Sequence, residues 1–277
     1  MGKTLHSEGA FFERFELSKN INLSIMKNLF VIVLLLISSL SFAQTAEEKA
    51  QANNPLASIT AFNLQQYYSS NLSGNSEATQ SSYWMRFAKP TGRVLWRASL
   101  PINTYSNPEL GVSRSGLGDF DLFGAYLAVS KPTLSVGIGP SLSAPTATHS
   151  SLGTGKWTAG AAAVAFASVS PQFQMGGLVI WRTDVGGDAN RNDVNFMAIQ
   201  PFAFWQVSNG MYFRTAPTWN FNLEKGEYNV PVGFGIGKIV KVGSTVCNFF
   251  IEPQYSVLHY GDNQAIFQLY SALNMQF

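Results

Sequence analysis

The feature that most limits what this chain can fold into is a residue period of two. From Ala265 to Phe277, Phe267, Leu269, Leu273, Met275 and Phe277 fall on one face, while Gln268, Tyr270, Asn274 and Gln276 fall on the other. Successive side chains of a strand point to opposite sides, so this sorting specifies a strand with one oily face and one polar face. The pattern recurs over Met211–Asn222, where Met211, Phe213, Pro217, Trp219 and Phe221 oppose Tyr212, Arg214, Thr218, Asn220 and Asn222. Over Arg93–Thr104, Val94, Trp96, Ala98, Leu100 and Ile102 oppose Arg97, Ser99 and Asn103. Near Asn248, Phe249, Ile251, Tyr255 and Val257 oppose Glu252, Gln254 and Ser256.

Extended along the chain, the pattern predicts twelve strands separated by Gly, Pro, Asn and Ser clusters. The first six are Ile59–Tyr68, Ser81–Ala88, Arg93–Thr104, Gly116–Val129, Thr133–Ser143 and Trp157–Ala167. The second six are Phe173–Trp181, Val194–Gln206, Met211–Asn222, Tyr228–Val240, Val246–His259 and Ala265–Phe277. Most approach or exceed the ~9 to 11 residues that a tilted membrane strand needs. Short connections at Lys89–Gly92, Ser130–Pro132, Ser208–Gly210 and Lys241–Gly243 alternate with longer polar loops at Ser69–Gln80, Tyr105–Ser115, Ala144–Lys156 and Arg182–Asp193. An even strand count, short turns on one side and long loops on the other describe a transmembrane antiparallel β-barrel. Closure leaves no open edge and satisfies every backbone hydrogen bond within lipid.

Composition agrees with an oily outer surface. Charged residues make up 12% of the chain and hydrophobic ones 46%, against about 25% charged in soluble domains. A soluble sandwich or barrel would carry its charge outward and its apolar face inward, which so little charge makes difficult. The 18 Lys and Arg nearly balance the 16 Asp and Glu, and no basic run exists, which argues against nucleic-acid binding. With one cysteine, Cys247, and three histidines, the chain has neither a disulfide framework nor a cysteine-built zinc site, and no cofactor is expected.

Leu29–Leu40 is a mostly apolar run after Lys27 and before Ser41-Phe42-Ala43, the pattern of a secretory signal. It is too short for a permanent membrane helix, which takes roughly 20 residues. Residues 26–43 are therefore read as a signal cleaved after Ala43, with translation from Met26 and residues 1–25 as a dispensable extension. Residues 44–58 form a periplasmic N-terminal segment, and 59–277 the barrel. The polar stretch Gln44–Ala57 is compatible with threading into the lumen as a plug or with lying outside it.

Five runs carry a family resemblance: SGLGDFDL (Ser115–Leu122), VGIGPSLSAPTAT (Val136–Thr148), LGTGKWTAGAAAVAF (Leu152–Phe166), IQPFAFWQVSNGMYF (Ile199–Phe213) and YNVPVGFGIGKIVKVG (Tyr228–Gly243). They resemble the outer-membrane barrel family labelled meta-pathway phenol-degradation protein, also described as transporter-like or, misleadingly, as neuromedin U-like. The resemblance spans roughly Asn54 to the C-terminus. It implies a Gram-negative outer-membrane barrel that passes small hydrophobic or aromatic molecules, and it brings no catalytic residues. The terminal aromatic Phe277 resembles the signal read by the barrel-assembly machinery.

With the oily faces toward lipid, Arg86, Arg97, Asp119, Asp121, Arg214 and Glu252 project into the lumen. The alternative costs roughly 2 to 4 kcal/mol for an Arg facing lipid at mid-depth. These groups form either a structural ion-pair network or the lining of a permeation path. Gly233, Gly235 and Gly237 share one face and either make room for a ligand or an inward-folded segment, or serve curvature. Other motifs are weaker. Gly153-Thr154-Gly155-Lys156 lacks phosphate-loop spacing. Asp188, Asn190, Asn192 and Asp193 break the EF-hand pattern, with Asp193 at its sixth position and Ile199 at its twelfth, which leaves a looser calcium site from Asp184, Asp188 and Asp193 or a plain solvated loop. A barrel hydrolase would draw on His149 with Ser150 or Ser151, or on His259. The sequence thus reads as a channel and not as an enzyme; a sealed structural or adhesive barrel is the second reading and a barrel hydrolase the third.

Overall fold

A computed structural model describes residues 51–277. The expected signal, its cleavage after Ala43 and the extension before Met26 lie outside the described residues. In chain order the strands are β1 (Ala61–Leu72), β2 (Asn75–Thr91), β3 (Val94–Asn107), β4 (Val112–Leu117), β5 (Phe120–Lys131), β6 (Leu134–Ala144), β7 (Lys156–Ser168) and β8 (Phe173–Gly187). They continue with β9 (Asn195–Ser208), β10 (Met211–Thr215), β11 (Trp219–Asn222), β12 (Glu227–Gly233), β13 (Gly235–Val242), β14 (Thr245–Tyr260) and β15 (Ala265–Gln276). All pairings are antiparallel, and the sheet closes because β15 pairs with both β14 and β1.

Three strands are interrupted. β4 and β5 both pair with β3. β10 and β11 both pair with β9 on either side of Ala216-Pro217-Thr218, where proline has no N–H to give the ladder. β12 and β13 both pair with β14 on either side of Phe234. With each interrupted strand counted once, this is a closed transmembrane barrel of twelve strands, one for each segment predicted by the alternation.

The strands run further than the alternation at the long-loop end. The expected loop Ser69–Gln80 is a tight turn at Ser73-Gly74, because Ser69 and Ser70 pair with Gln80 and Thr79. Similarly, Tyr105–Ser115 contracts to a turn between β3 and β4, with Ser106 opposite Ser113. Beyond the oily belt both faces of a hairpin are wet, so alternation ends while the hydrogen-bond ladder continues. At the short-turn end, Asn209 and Gly210 have φ of 48° and 75°. Two consecutive positive φ values belong to the hairpin turn whose twist matches that of its strands.

Faces sort as the period requires. Trp96, Phe213, Tyr255 and Phe267 are exposed on the outside, whereas Ser99, Arg214, Gln254 and Tyr270 are buried on the inside. The short-turn half of the interior departs from a polar lumen. Leu95, Phe123, Leu127 and Val164 pack there around Leu56, and Phe166, Phe202, Phe204, Tyr212 and Ile239 pack around Ala52. The interior at this end is a hydrophobic core, and its centre is the segment that precedes β1.

Candidate functional site: a plugged lumen

The site is built around residues 51–60. Asn53-Asn54-Pro55 is turn-forming sequence, and it coils here: the Asn54 N–H donates to the Gln51 carbonyl at 3.0 Å, and the Leu56 N–H to Asn54 Oδ1 at 2.9 Å. The coil is seated by the wall. Asn248 Nδ2 on β14 donates to the Ala52 carbonyl at 3.3 Å and to Asn53 Oδ1 at 2.9 Å, and the Tyr212 hydroxyl on β10 donates to Asn248 Oδ1 at 2.7 Å. Leu56 is 3% exposed and Ala52 6%. Small side chains at Ala52 and Ala57 let this backbone fit within a barrel that is already lined by phenylalanines.

Beside and above the plug the interior is a series of cavities that share walls. The deepest, about 150 Å³, touches Asn53 and Asn54 of the plug together with Gln65, Arg86, Arg97 and Phe250. The next, about 130 Å³, shares Arg86, Arg97, Leu178 and Gln200 with it and adds Tyr67, Trp84, Asp121 and Arg182. A third of about 160 Å³ is lined by Thr218, Asn220, Gln254 and Gln268. The last, about 350 Å³, lies at the long-loop mouth between Ser82, Asn103, Tyr105 and Leu152.

Five of the six charged residues singled out in the sequence lie within the described barrel wall and face its interior. Arg86 donates from Nη1 to Gln65 Oε1, with its guanidinium 4.7 Å from the centre of the Trp84 ring. Arg97 lies 4.2 Å from the centre of the Phe123 ring. Asp121 forms an ion pair with Arg182. Arg214 Nε donates to Glu252 Oε2 at 2.6 Å, with side chains 5% and 0% exposed. Asp119 stands apart at the interruption between β4 and β5. Its carboxylate accepts the Thr154 N–H at 2.6 Å, the Thr154 hydroxyl at 2.8 Å and the Ala147 N–H at 3.3 Å, so it holds the loop between β6 and β7. Arg182 belongs to the interior group although the sequence placed it in a loop; β8 continues through it, and its parity with Ile180 turns both inward.

The glycine face has its space filled by the chain's own side chains. A Cβ at Gly237 would overlap the Tyr212 ring, and a Cβ at Gly233 or Gly235 would crowd Glu252. These glycines therefore admit the buried Tyr212 and Glu252 to the wall.

At the mouth, the loop between β6 and β7 folds over the opening. Asn103 Nδ2 donates to the Leu152 carbonyl at 3.0 Å, and Leu152 is 6% exposed. Arg191, from the loop between β8 and β9, stitches this cover by donating to the carbonyls of Ser150 (2.6 Å), Gly153 (2.6 Å) and Thr154 (3.0 Å). Arg191→Ala is expected to speed proteolytic cleavage between residues 145 and 155 about tenfold, since hydrogen bonds to a charged group contribute about 1.5 to 3 kcal/mol. Cleavage at the parental rate, followed by gel electrophoresis, would show the cover to be held by Asp119 and Asn103 without Arg191.

The remaining motifs stay local. Lys156 Nζ forms an ion pair with Asp193 at 3.2 Å. Asp184 accepts the Val194 N–H, and Asp188 accepts the N–H and side-chain amide of Asn190. Among the described residues no three His, Cys, Asp or Glu side chains are grouped to hold a metal. His149 Nδ1 lies 2.9 Å from Ser151 Oγ, but the same nitrogen accepts the Ser151 N–H at 3.1 Å, which makes the contact part of one exposed turn.

No protein-family model matches the chain, and no curated protein matches it in sequence. Solved structures are similar in fold. An outer-membrane channel from Pseudomonas putida F1 superposes with a TM-score of 0.56 at 14% identity, over 79% of this chain and 96% of that one. The NanC porin superposes with a TM-score of 0.50 at 12% identity, over 78% of this chain and 98% of that one. At such identities the likeness is one of architecture: both belong to the class of closed antiparallel outer-membrane barrels.

Proposed function

We propose that the protein is an integral bacterial outer-membrane channel for small hydrophobic or aromatic molecules, closed at its short-turn end by its own N-terminal segment. The observation that carries this reading is the run of wall-sharing cavities from the mouth to the plug. A barrel filled solid for structural reasons alone has no need of such a run. The exposed outer belt fits outer-membrane lipid, and the even strand count puts both ends of the barrel on the short-turn side, which is then periplasmic. Export by a cleaved signal and insertion by the barrel-assembly machinery through Phe277 belong to the same reading. The motif resemblance to the phenol-degradation barrel family points to aromatic cargo, and the two superposed structures, a channel and a porin, agree with passage.

The test is the single-channel current of the refolded chain in planar bilayers. Discrete openings, rare in the intact chain, are expected; a barrel that inserts and never conducts, with or without its plug, would instead be the sealed structural barrel.

A further inference from the structure

We propose that Arg86 and Arg97 form a binding subsite for a small carboxylate bearing one apolar ring, on the wall shared by the two deeper cavities. The inference refines the channel reading and rests on it for the route by which the ligand arrives. Its basis is an imbalance of charge. The interior holds Arg86, Arg97, Arg182 and Arg214 against Asp121 and Glu252, and each carboxylate is already paired, with Arg182 and Arg214 respectively. Among the described residues no carboxylate lies within ion-pair distance of Arg86 or Arg97. Arg86 and Arg97 line the same two cavities. The Nε atoms of both arginines are buried without a hydrogen-bond partner. Buried donors without acceptors are costly, and two like charges on one wall without a carboxylate favour an anion beside them.

The orientation of the two guanidiniums specifies which anion. One face of each lies over an aromatic ring, Trp84 for Arg86 and Phe123 for Arg97, so an acceptor meets each guanidinium along an edge rather than on that face. That edge is the part of guanidinium that matches a carboxylate. The apolar part of the surrounding cavity is contributed by Tyr67, Trp84, Leu178, Ile180 and Phe196, and its polar part by Ser99, Gln200, Thr218 and the paired Asp121 and Arg182. Its volume of about 130 Å³ is near the ~150 Å³ of an apolar cavity known to accept benzene. An inorganic anion would satisfy the arginines and leave these apolar walls bare. A neutral ring would cover the walls and leave both guanidiniums without a counter-charge.

Titration calorimetry of the refolded full chain in detergent tests this with benzoate, benzyl alcohol and acetate. Benzoate is expected to bind at least about tenfold more tightly than either of the others, as one charge-assisted contact would give. Arg97→Gln is expected to weaken benzoate about tenfold and leave benzyl alcohol unchanged, and Arg86→Gln to act in the same direction. A heat-modifiable gel shift reports that each variant is folded, and if one variant fails to fold, the other gives the reading. Benzyl alcohol or acetate binding as well as benzoate overturns the proposal, as does benzoate binding that ignores both substitutions. The two readings fail separately. Selective benzoate binding by a barrel that never conducts removes the channel and keeps the subsite; current without selective benzoate binding does the reverse.

Discussion

A chain that begins at Ser58 is expected to conduct several times the current of the intact chain and to keep its heat-modifiable gel shift. Closure of the barrel is a property of the ladder, in which β15 pairs with β1 and β14 along their lengths, and residues 51–57 make no part of it. What their removal sacrifices is the burial of Leu56 and Ala52, the two hydrogen bonds from Asn248 and the one from Gln276 to the Gln51 carbonyl. Full burial of a leucine contributes about 1.5 to 3 kcal/mol, small beside a twelve-stranded sheet. What removal gains is continuity between the deepest cavity, which the plug's Asn53 and Asn54 line, and the short-turn opening. A graded version uses Asn248→Ala, which deletes two of the wall-to-plug bonds and keeps the plug and the bond from Gln276 to the Gln51 carbonyl. At about 1 kcal/mol each, their loss shifts the balance between seated and released plug by about 2 kcal/mol, roughly 30-fold. Openings should become more frequent by that order without becoming larger. If the shortened chain conducts no better than the intact one, the constriction lies elsewhere, at the Leu152 cover or among the interior arginines.

The strands are legible in the sequence because lipid and lumen impose different chemistry on alternate residues, as Phe249, Ile251 and Tyr255 against Glu252, Gln254 and Ser256 show. The same rule explains where legibility ends. Phe202 and Phe204 point inward while Trp205 points outward, so both faces of β9 are aromatic there and the period of two vanishes. The inward core around the plug is made of such residues. Arg182 is hidden by the opposite effect: it follows the last outward aromatic, Trp181, and is followed by polar residues that look like a loop. Its parity with Ile180 is the signal that places it inside. Asp119 has inward parity too, yet the break beside Gly118 releases it to the loop. For the plug, nothing periodic exists to be read. Apart from Leu56, residues 51–57 are polar or small, and only the geometry of Asn248, Tyr212 and the phenylalanines shows that they are seated within the barrel.

Glu252→Ala is expected to lower stability by about 3 to 5 kcal/mol, the loss typical when one partner of a buried ion pair is removed. Glu252 is fully enclosed and its two oxygens do three things: they accept Arg214 Nε at 2.6 Å, the Ala216 N–H at 2.9 Å and Gln254 Nε2 at 2.8 Å. The substitution therefore orphans two neutral donors and one guanidinium. Arg214 keeps a second kind of partner, since its charge lies 3.3 Å from the centre of the Phe250 ring and 5.2 Å from that of Tyr270. Ring contacts of this sort contribute about 0.5 to 2 kcal/mol and cannot replace a carboxylate. The double substitution Arg214→Met with Glu252→Gln is expected to recover most of the loss, because the amide oxygen still accepts from Ala216 or Gln254 while no charge remains to be compensated. Urea unfolding in lipid vesicles, compared across the two variants and the parent, measures both. A Glu252→Ala barrel within about 1 kcal/mol of the parent would place water at Arg214, and the aromatic enclosure of that arginine would then be a hydrated layer of the passage instead of a dry structural one.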